Sequence, residues 1–152
     1  MASTLTELLY HAIWSTKNRE PIIRREIEES VWRILAGTAE RNRMHIIRAG
    51  GIENHVHVLL HIPKALTVSE AMQRLKGGSS KFINDEQLVG ANRSFAWQDG
   101  YAAFTVSPSN VPSVVRYISS QREHHRKKSF EEELVEFLDR HGVAYDPRYL
   151  WD

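Results

Sequence analysis

His55 and His57 stand one residue apart in a run that is otherwise apolar from Val56 to Ile62. On a β-strand, side chains alternate, so these two imidazoles point to one face. Their Cβ atoms then lie about 6–7 Å apart, given the rise per strand residue. That spacing lets both imidazoles reach one metal ion from a rigid platform. The opposite face reads Val56, Val58, Leu60 and Ile62, a stripe fit for a core. The strand is thus expected to be buried on one side and chemical on the other. So short a motif equally describes two half-exposed strand histidines. Sixty residues on, Tyr117 and Gln121 are four apart in a segment with helical periodicity. They share a helix face with His124, apart from the stripe Val111, Val114, Val115 and Ile118. Taken alone, Tyr117 also fits a tyrosine flanking the core with its hydroxyl at the surface.

These groups need a scaffold, and the length of 152 residues suits a single domain. Hydrophobic residues make up 41% and charged residues 26%, the balance of a globular chain with a real core. The net charge of +1 means that any nucleic-acid contact must come from a local patch. There are no cysteines, which excludes disulfides and thiolate metal sites and agrees with a reducing cytoplasm. Neither a signal peptide nor a membrane span is expected.

The pattern predicts a first strand over 5–14 and, after Pro21, an amphipathic helix near 21–42. A short strand follows at 43–48, a turn at Gly50-Gly51, and the histidine strand near 53–62. Thr67 and Glu70 form a capping box for the next helix. Gly77-Gly78 is expected to interrupt or kink it. The aromatic stretch 94–106 reads as one or two strands broken at Asp99-Gly100. A helix is predicted over 111–127, and Ser129 with Glu132 caps a last helix that ends before Gly142. The aromatic tail 143–152 is expected to dock on the body. The order β-α-β-β-α-β-α-α predicts an α+β fold: a ferredoxin-like or RRM-like split βαβ antiparallel sheet with helices on one face, plus C-terminal helices. The expected layout is a single domain over 1–152, with the sheet core at about 5–106, the tyrosine helix at 111–127 and the last helix and tail at 129–152.

The H-x-H strand, the run Lys76-Gly77-Gly78-Ser79-Ser80, the stretch Trp97-Gln98-Asp99-Gly100-Tyr101 and Tyr117-Ile118-Ser119-Ser120-Gln121 occur in that order. Together they resemble the single-tyrosine HUH transposases of bacterial insertion sequences, of the 200/605 type, related to the REP-associated tyrosine transposases. The resemblance spans nearly the whole chain. It implies a metal site of His55 and His57, completed by Gln121, and a nucleophile at Tyr117. Many members carry Asp before the first histidine. Here Asn54 stands there, and strand alternation predicts that it faces away from the metal. The implied reaction is transesterification of single-stranded DNA: Tyr117 attacks a phosphodiester, forms a 5′-phosphotyrosine and frees a 3′-hydroxyl. The implied partners are DNA hairpin ends and a second copy of the chain, with no membrane.

The chemistry agrees. A phenol ionises near pH 10 and is a weak nucleophile at neutral pH. A cation favours the phenolate and the transition-state charge. Two imidazoles plus an amide oxygen suit Mg²⁺ or Mn²⁺, whereas zinc is less natural without a thiolate or a third histidine. Tyr10, Tyr101, Tyr145 and Tyr149 lack the amide partner that Tyr117 has. Phosphate contacts are expected at Lys17, Arg19, Lys76, Lys81, Arg122 and Arg126, aided by backbone amides at Gly77-Gly78. Exposed members of Trp14, Trp97 and Tyr101 are candidates for base stacking. Two other functions fit the same residues: a non-catalytic hairpin-binding regulator, and a metal phosphodiesterase without a covalent step.

Overall fold

The computed structural model describes residues 2–152. Four antiparallel strands form one sheet: β1 (Leu9–Ser15), β2 (His45–Ile52), β3 (His55–His61) and β4 (Ala102–Thr105), in the order β2-β3-β1-β4. This is the split βαβ order expected. Two crossover helices, α1 (Arg25–Arg41) and α2 (Val68–Asp85), cover one face. Ala12, Trp14, Val56, Val58 and Leu60 of the sheet meet Val31, Leu35 and Ala39 of α1, and Ala71, Met72, Leu75 and Ile83 of α2. Trp14 and Trp97 belong to this core, so neither offers a face for stacking; Tyr101 is half exposed.

The other face is covered too. The 111–127 segment is broken at Ser120 into α3 (Val111–Ser119) and α4 (Gln121–His124), and α5 is Phe130–Arg140. The Ser119 and Ser120 hydroxyls donate to the carbonyls of Val115 and Arg116, turning the serines inward against the helix just where it ends. Phe130, Leu134 and Leu138 pack on Ile13 and Phe104. Of the tail expected to dock, only Leu150 and Trp151 lie against this second core; Val143, Tyr145 and Tyr149 are exposed.

Both glycine pairs behave differently from expectation. Gly50 and Gly51 lie inside β2, and the turn is Glu53-Asn54. A Cβ on Gly50 would sit 2.5 Å from the Ile118 carbonyl oxygen, so glycine lets α3 lie directly on the sheet. Gly77 and Gly78 continue α2 without a break. A Cβ on Gly78 would meet Thr38 Cγ2 at 2.7 Å, which makes that glycine a contact point between α1 and α2. The amides of both residues lie within the helix, so they do not form a phosphate-binding loop. Only β4 forms from the 94–106 stretch; Trp97 makes an isolated bridge to Thr16.

Candidate active site

β3 places the two histidines. Its tight turn is anchored from outside: Thr16 N–H donates to the Asn54 carbonyl at 3.0 Å and Ile23 N–H to the Glu53 carbonyl at 2.9 Å. His55 and His57 then share a face and are fully buried, because α3, α4 and α5 roof that face. Their ring centroids are 5.2 Å apart. Each ring is held by its second nitrogen. His57 Nδ1 is 2.8 Å from His11 Nε2 on neighbouring β1. His55 Nδ1 is 2.9 Å from Asn54 Oδ1. Asn54 therefore bears on the histidine after all. It belongs to the turn rather than to the strand, so strand alternation does not apply to it.

The helices complete the site. Tyr117 on α3 lies with its ring 5.6 Å from that of His57. Across the break at Ser120, Gln121 brings its Oε1 to 3.1 Å from His55 Nε2 and 3.0 Å from His125 Nε2. The sequence-predicted His55, His57, Tyr117 and Gln121 are thus assembled in one chain.

Two further residues enter. The capping box at Ser129 and Glu132 fixes the start of α5 and sets Glu133 within its first turn. Phe130 stacks on the His55 ring, with centroids 4.4 Å apart. Glu133 Oε1 then lies 2.8 Å from His57 Nε2, 3.3 Å from His125 Nε2 and 3.5 Å from His55 Nε2. Its Oε2 accepts a short hydrogen bond from the Tyr117 hydroxyl and lies 3.3 Å from His124 Nε2. One carboxylate thus joins the histidine cluster to the tyrosine.

The electrostatics follow from this crowding. Burial lowers His55 to about 4, so it stays neutral, and burial likewise drives His11 well below its ordinary value. Burial alone would raise Glu133, but hydrogen bonds from His125, His55 and His57 hold it far below the usual carboxylate range. Burial and the Glu133 charge push the Tyr117 phenol well above its ordinary value. At rest the proton belongs to the tyrosine.

A divalent cation fits this donor set. The side-chain donors of His55, His57, His125 and Glu133 all lie within 4.8 Å of one another, and Gln121 Oε1 joins them. Three imidazoles, a carboxylate and an amide make a richer set than two imidazoles and an amide. The third histidine supplies the ligand whose absence disfavoured zinc, and the set suits transition ions such as Mn²⁺ and Zn²⁺ better than Mg²⁺.

His125 and Glu133 were not among the sequence-predicted site residues. In the sequence His125 stands among basic neighbours, His124, Arg126, Lys127 and Lys128, which hide a ligand among candidates for phosphate contact. Glu133 carried a detectable signal, since it interrupts the apolar stripe of Phe130, Leu134, Phe137 and Leu138.

The basic residues are mostly engaged. Arg122 binds Glu53 at 2.8 Å and Glu28 at 3.0 Å, pinning α4 to the β2–β3 turn and to α1. Arg19 pairs with Glu131 at 2.9 Å, and Lys81 with Asp85 at 2.8 Å. Lys76 donates to the carbonyls of Asp99 and Gly100. Lys17 and Arg126 are exposed. His124, which lies 3.2 Å from the Tyr117 hydroxyl, lines a hollow of about 470 Å³ with Ser120, Glu123, Arg126, Lys127 and Lys128, the last paired with Glu136.

Residues 4–121 match the family described as Transposase IS200 like. The transposase for insertion sequence element IS200 of Salmonella typhimurium is 32% identical over 127 residues, covering 81% of this chain and 82% of that protein. The ISDra2 transposase TnpA of Deinococcus radiodurans is 29% identical over 123 residues, covering 77% and 86%. Two solved structures share the fold. A transposase from Deinococcus radiodurans gives a TM-score of 0.62 at 24% identity, covering 80% of this chain and 95% of that one. A REP-associated tyrosine transposase bound to a REP hairpin gives 0.57 at 11% identity, covering 82% and 74%. No described helix is long and apolar enough to cross a membrane.

Proposed function

The chain belongs to the IS200-like transposases, and we propose that it cleaves and rejoins single-stranded DNA through a 5′-phosphotyrosine at Tyr117. The observation that carries this reading is the Tyr117 hydroxyl held beside a cluster of cation-binding side chains built on His55 and His57. Tyr117 is the nucleophile. Its Oη forms a bond to phosphorus as the bond to the 3′ oxygen breaks, leaving DNA joined to the protein through its 5′ end. His55, His57 and Gln121 would hold a divalent cation, Mn²⁺ in preference to Mg²⁺ given the third imidazole at His125. When bound, that ion polarises the scissile phosphate and stabilises negative charge in the transition state. Rejoining reverses the exchange: a 3′-hydroxyl attacks the phosphotyrosine, and the conserved ester energy makes ATP unnecessary.

Strand entry is favoured where Tyr117 is partly exposed, beside the hollow lined by His124, Arg126, Lys127 and Lys128. Lys17 adds an exposed cation. The fold-sharing REP-associated transposase is bound to a REP hairpin; we extend hairpin-end binding to this chain. One tyrosine handles one strand at a time, so excision calls for a homodimer, although a single chain already contains every residue invoked above. The proposed location is the cytoplasm, where the DNA is.

The test is incubation with labelled single-stranded DNA from an element end and Mn²⁺ or Mg²⁺, followed by a denaturing gel. A labelled band at the mass of protein plus DNA is expected for the wild type and absent for Tyr117→Phe. His57→Ala is expected to lower its rate at least about a hundredfold. Cleavage that survives Tyr117→Phe would favour a phosphodiesterase without a covalent step. Binding without cleavage would favour a hairpin-binding regulator.

A further inference from the structure

Glu133 lies twelve residues beyond the segment that matches the family, on a helix that the matched segment does not contain. It is a carboxylate with 1% side-chain exposure on the apolar face of α5. A buried charge is costly unless its surroundings compensate it. Here the polar partners of the carboxylate are site residues: His55, His57 and His125 on one oxygen, Tyr117 and His124 on the other.

We infer that Glu133 is a catalytic residue of the transesterification, acting with one oxygen as a cation ligand beside His125 and with the other as the acceptor of the Tyr117 proton. The inference rests on the transposase reading above and adds to it the C-terminal segment. His125 and Glu133 flank the loop from α4 to α5, so that loop closes the cation site.

The proton path is short. As Tyr117 Oη bonds to phosphorus, its proton passes to Glu133 Oε2, already its hydrogen-bond partner. The electron pair of the breaking P–O3′ bond stays on the 3′ oxygen, which takes a proton from solvent water. Glu133 then returns its proton to solvent, so the net exchange is one ester for another. At rest the phenol keeps its proton. Transfer becomes favourable only as Oη loses basicity on bonding to phosphorus, which is the behaviour of a general base in a transition state. Glu133 has its remaining oxygen in the histidine cluster, so the acceptor and the cation are fixed in one geometry.

Two variants separate the parts. Glu133→Gln keeps the volume and removes the charge; Glu133→Ala leaves room for a small carboxylate. Mn²⁺ affinity of the protein without DNA, followed by electron paramagnetic resonance of the free ion, is expected to fall at least about tenfold in both. Single-turnover adduct formation at saturating Mn²⁺ is expected to fall at least about a hundredfold in both. Added formate is expected to restore it in Glu133→Ala and not in Glu133→Gln. An unchanged Mn²⁺ affinity overturns the inference. So does a variant rate equal to or above wild type, the result expected if Glu133 merely blocks the site. A wild type that forms no adduct would instead count against the transposase chemistry, and the Mn²⁺ measurement would still decide for or against Glu133.

Discussion

A histidine can bind an ion through Nε2 only if Nδ1 carries the proton and has somewhere to donate it. For His57 the partner is His11 Nε2, at 2.8 Å and buried. Burial keeps His11 neutral, so in the tautomer protonated at Nδ1 its Nε2 can accept the His57 proton. Replacing His11 with leucine should free the His57 ring and weaken Mn²⁺ binding about ten- to a hundredfold. Glutamine, whose Oε1 can stand where Nε2 was, should keep most of the affinity. Equal affinities in wild type and His11→Leu would show that His11 is only filling space. His55 and His57 could be read from the sequence because strand alternation alone puts them together. His11, His125 and Glu133 could not be placed the same way. Each depends on a register or a helix packing that joins positions 46 to 78 residues apart in the chain.

The elements were legible where local rules suffice. Ser129 and Glu132 form the reciprocal capping box that S-x-x-E predicts, at Thr67 only the hydroxyl bond to the Glu70 N–H forms, and Gly142 closes α5 at φ +66°. Gly50-Gly51 and Gly77-Gly78 misled, because a glycine pair signals a turn and a close approach of two backbones equally well. Here Gly50 and Gly78 answer to packing, while Gly77 has open space around it. Gly50 supports the tyrosine helix, since an added methyl would strike the Ile118 carbonyl, one residue from Tyr117. Gly50→Ala should cost about 1–3 kcal/mol in urea unfolding, the usual cost of overpacking. It should also slow adduct formation while leaving Mn²⁺ affinity close to wild type. No loss of stability would mean that α3 can shift freely, contrary to its placement on β2. The break at Ser120 was likewise invisible to periodicity, because Tyr117 and Gln121 keep their common face across it.

The molecule as a whole encloses its chemical face. The sequence promised a strand buried on one side; the structure buries both, with α1 and α2 on one side and α3 to α5 on the other. Enclosure has a consequence for pH. His11 and His55 have folded values below the unfolded value of about 6.5, at about 4 for His55 and well below for His11. Between these limits the unfolded chain binds protons that the folded one does not, so stability rises with pH there. The metal-free protein should therefore lose stability as pH falls from about 6.5 toward about 4. His11 and His55 push the slope the same way, while His125, which burial would lower but the hydrogen bond to Glu133 raises, opposes them near pH 6.5. Urea titrations at pH 7, 6 and 5 would check this, and a flat profile would contradict burial of neutral histidines. Each sheet face and its helices came from patterns along the chain. The closing of the second face over the histidines required the C-terminal helices to fold back, which no periodicity specifies.

The proposed reaction leaves the DNA on one tyrosine, and mass spectrometry of the protein after reaction with single-stranded DNA, nuclease trimming and tryptic digestion reads which one. The nucleotide should be found on the peptide 117–122, released after Arg116, and should be attached to Tyr117. A nucleotide on Tyr10, Tyr101, Tyr145 or Tyr149, or DNA cleaved with no modified peptide, would contradict it.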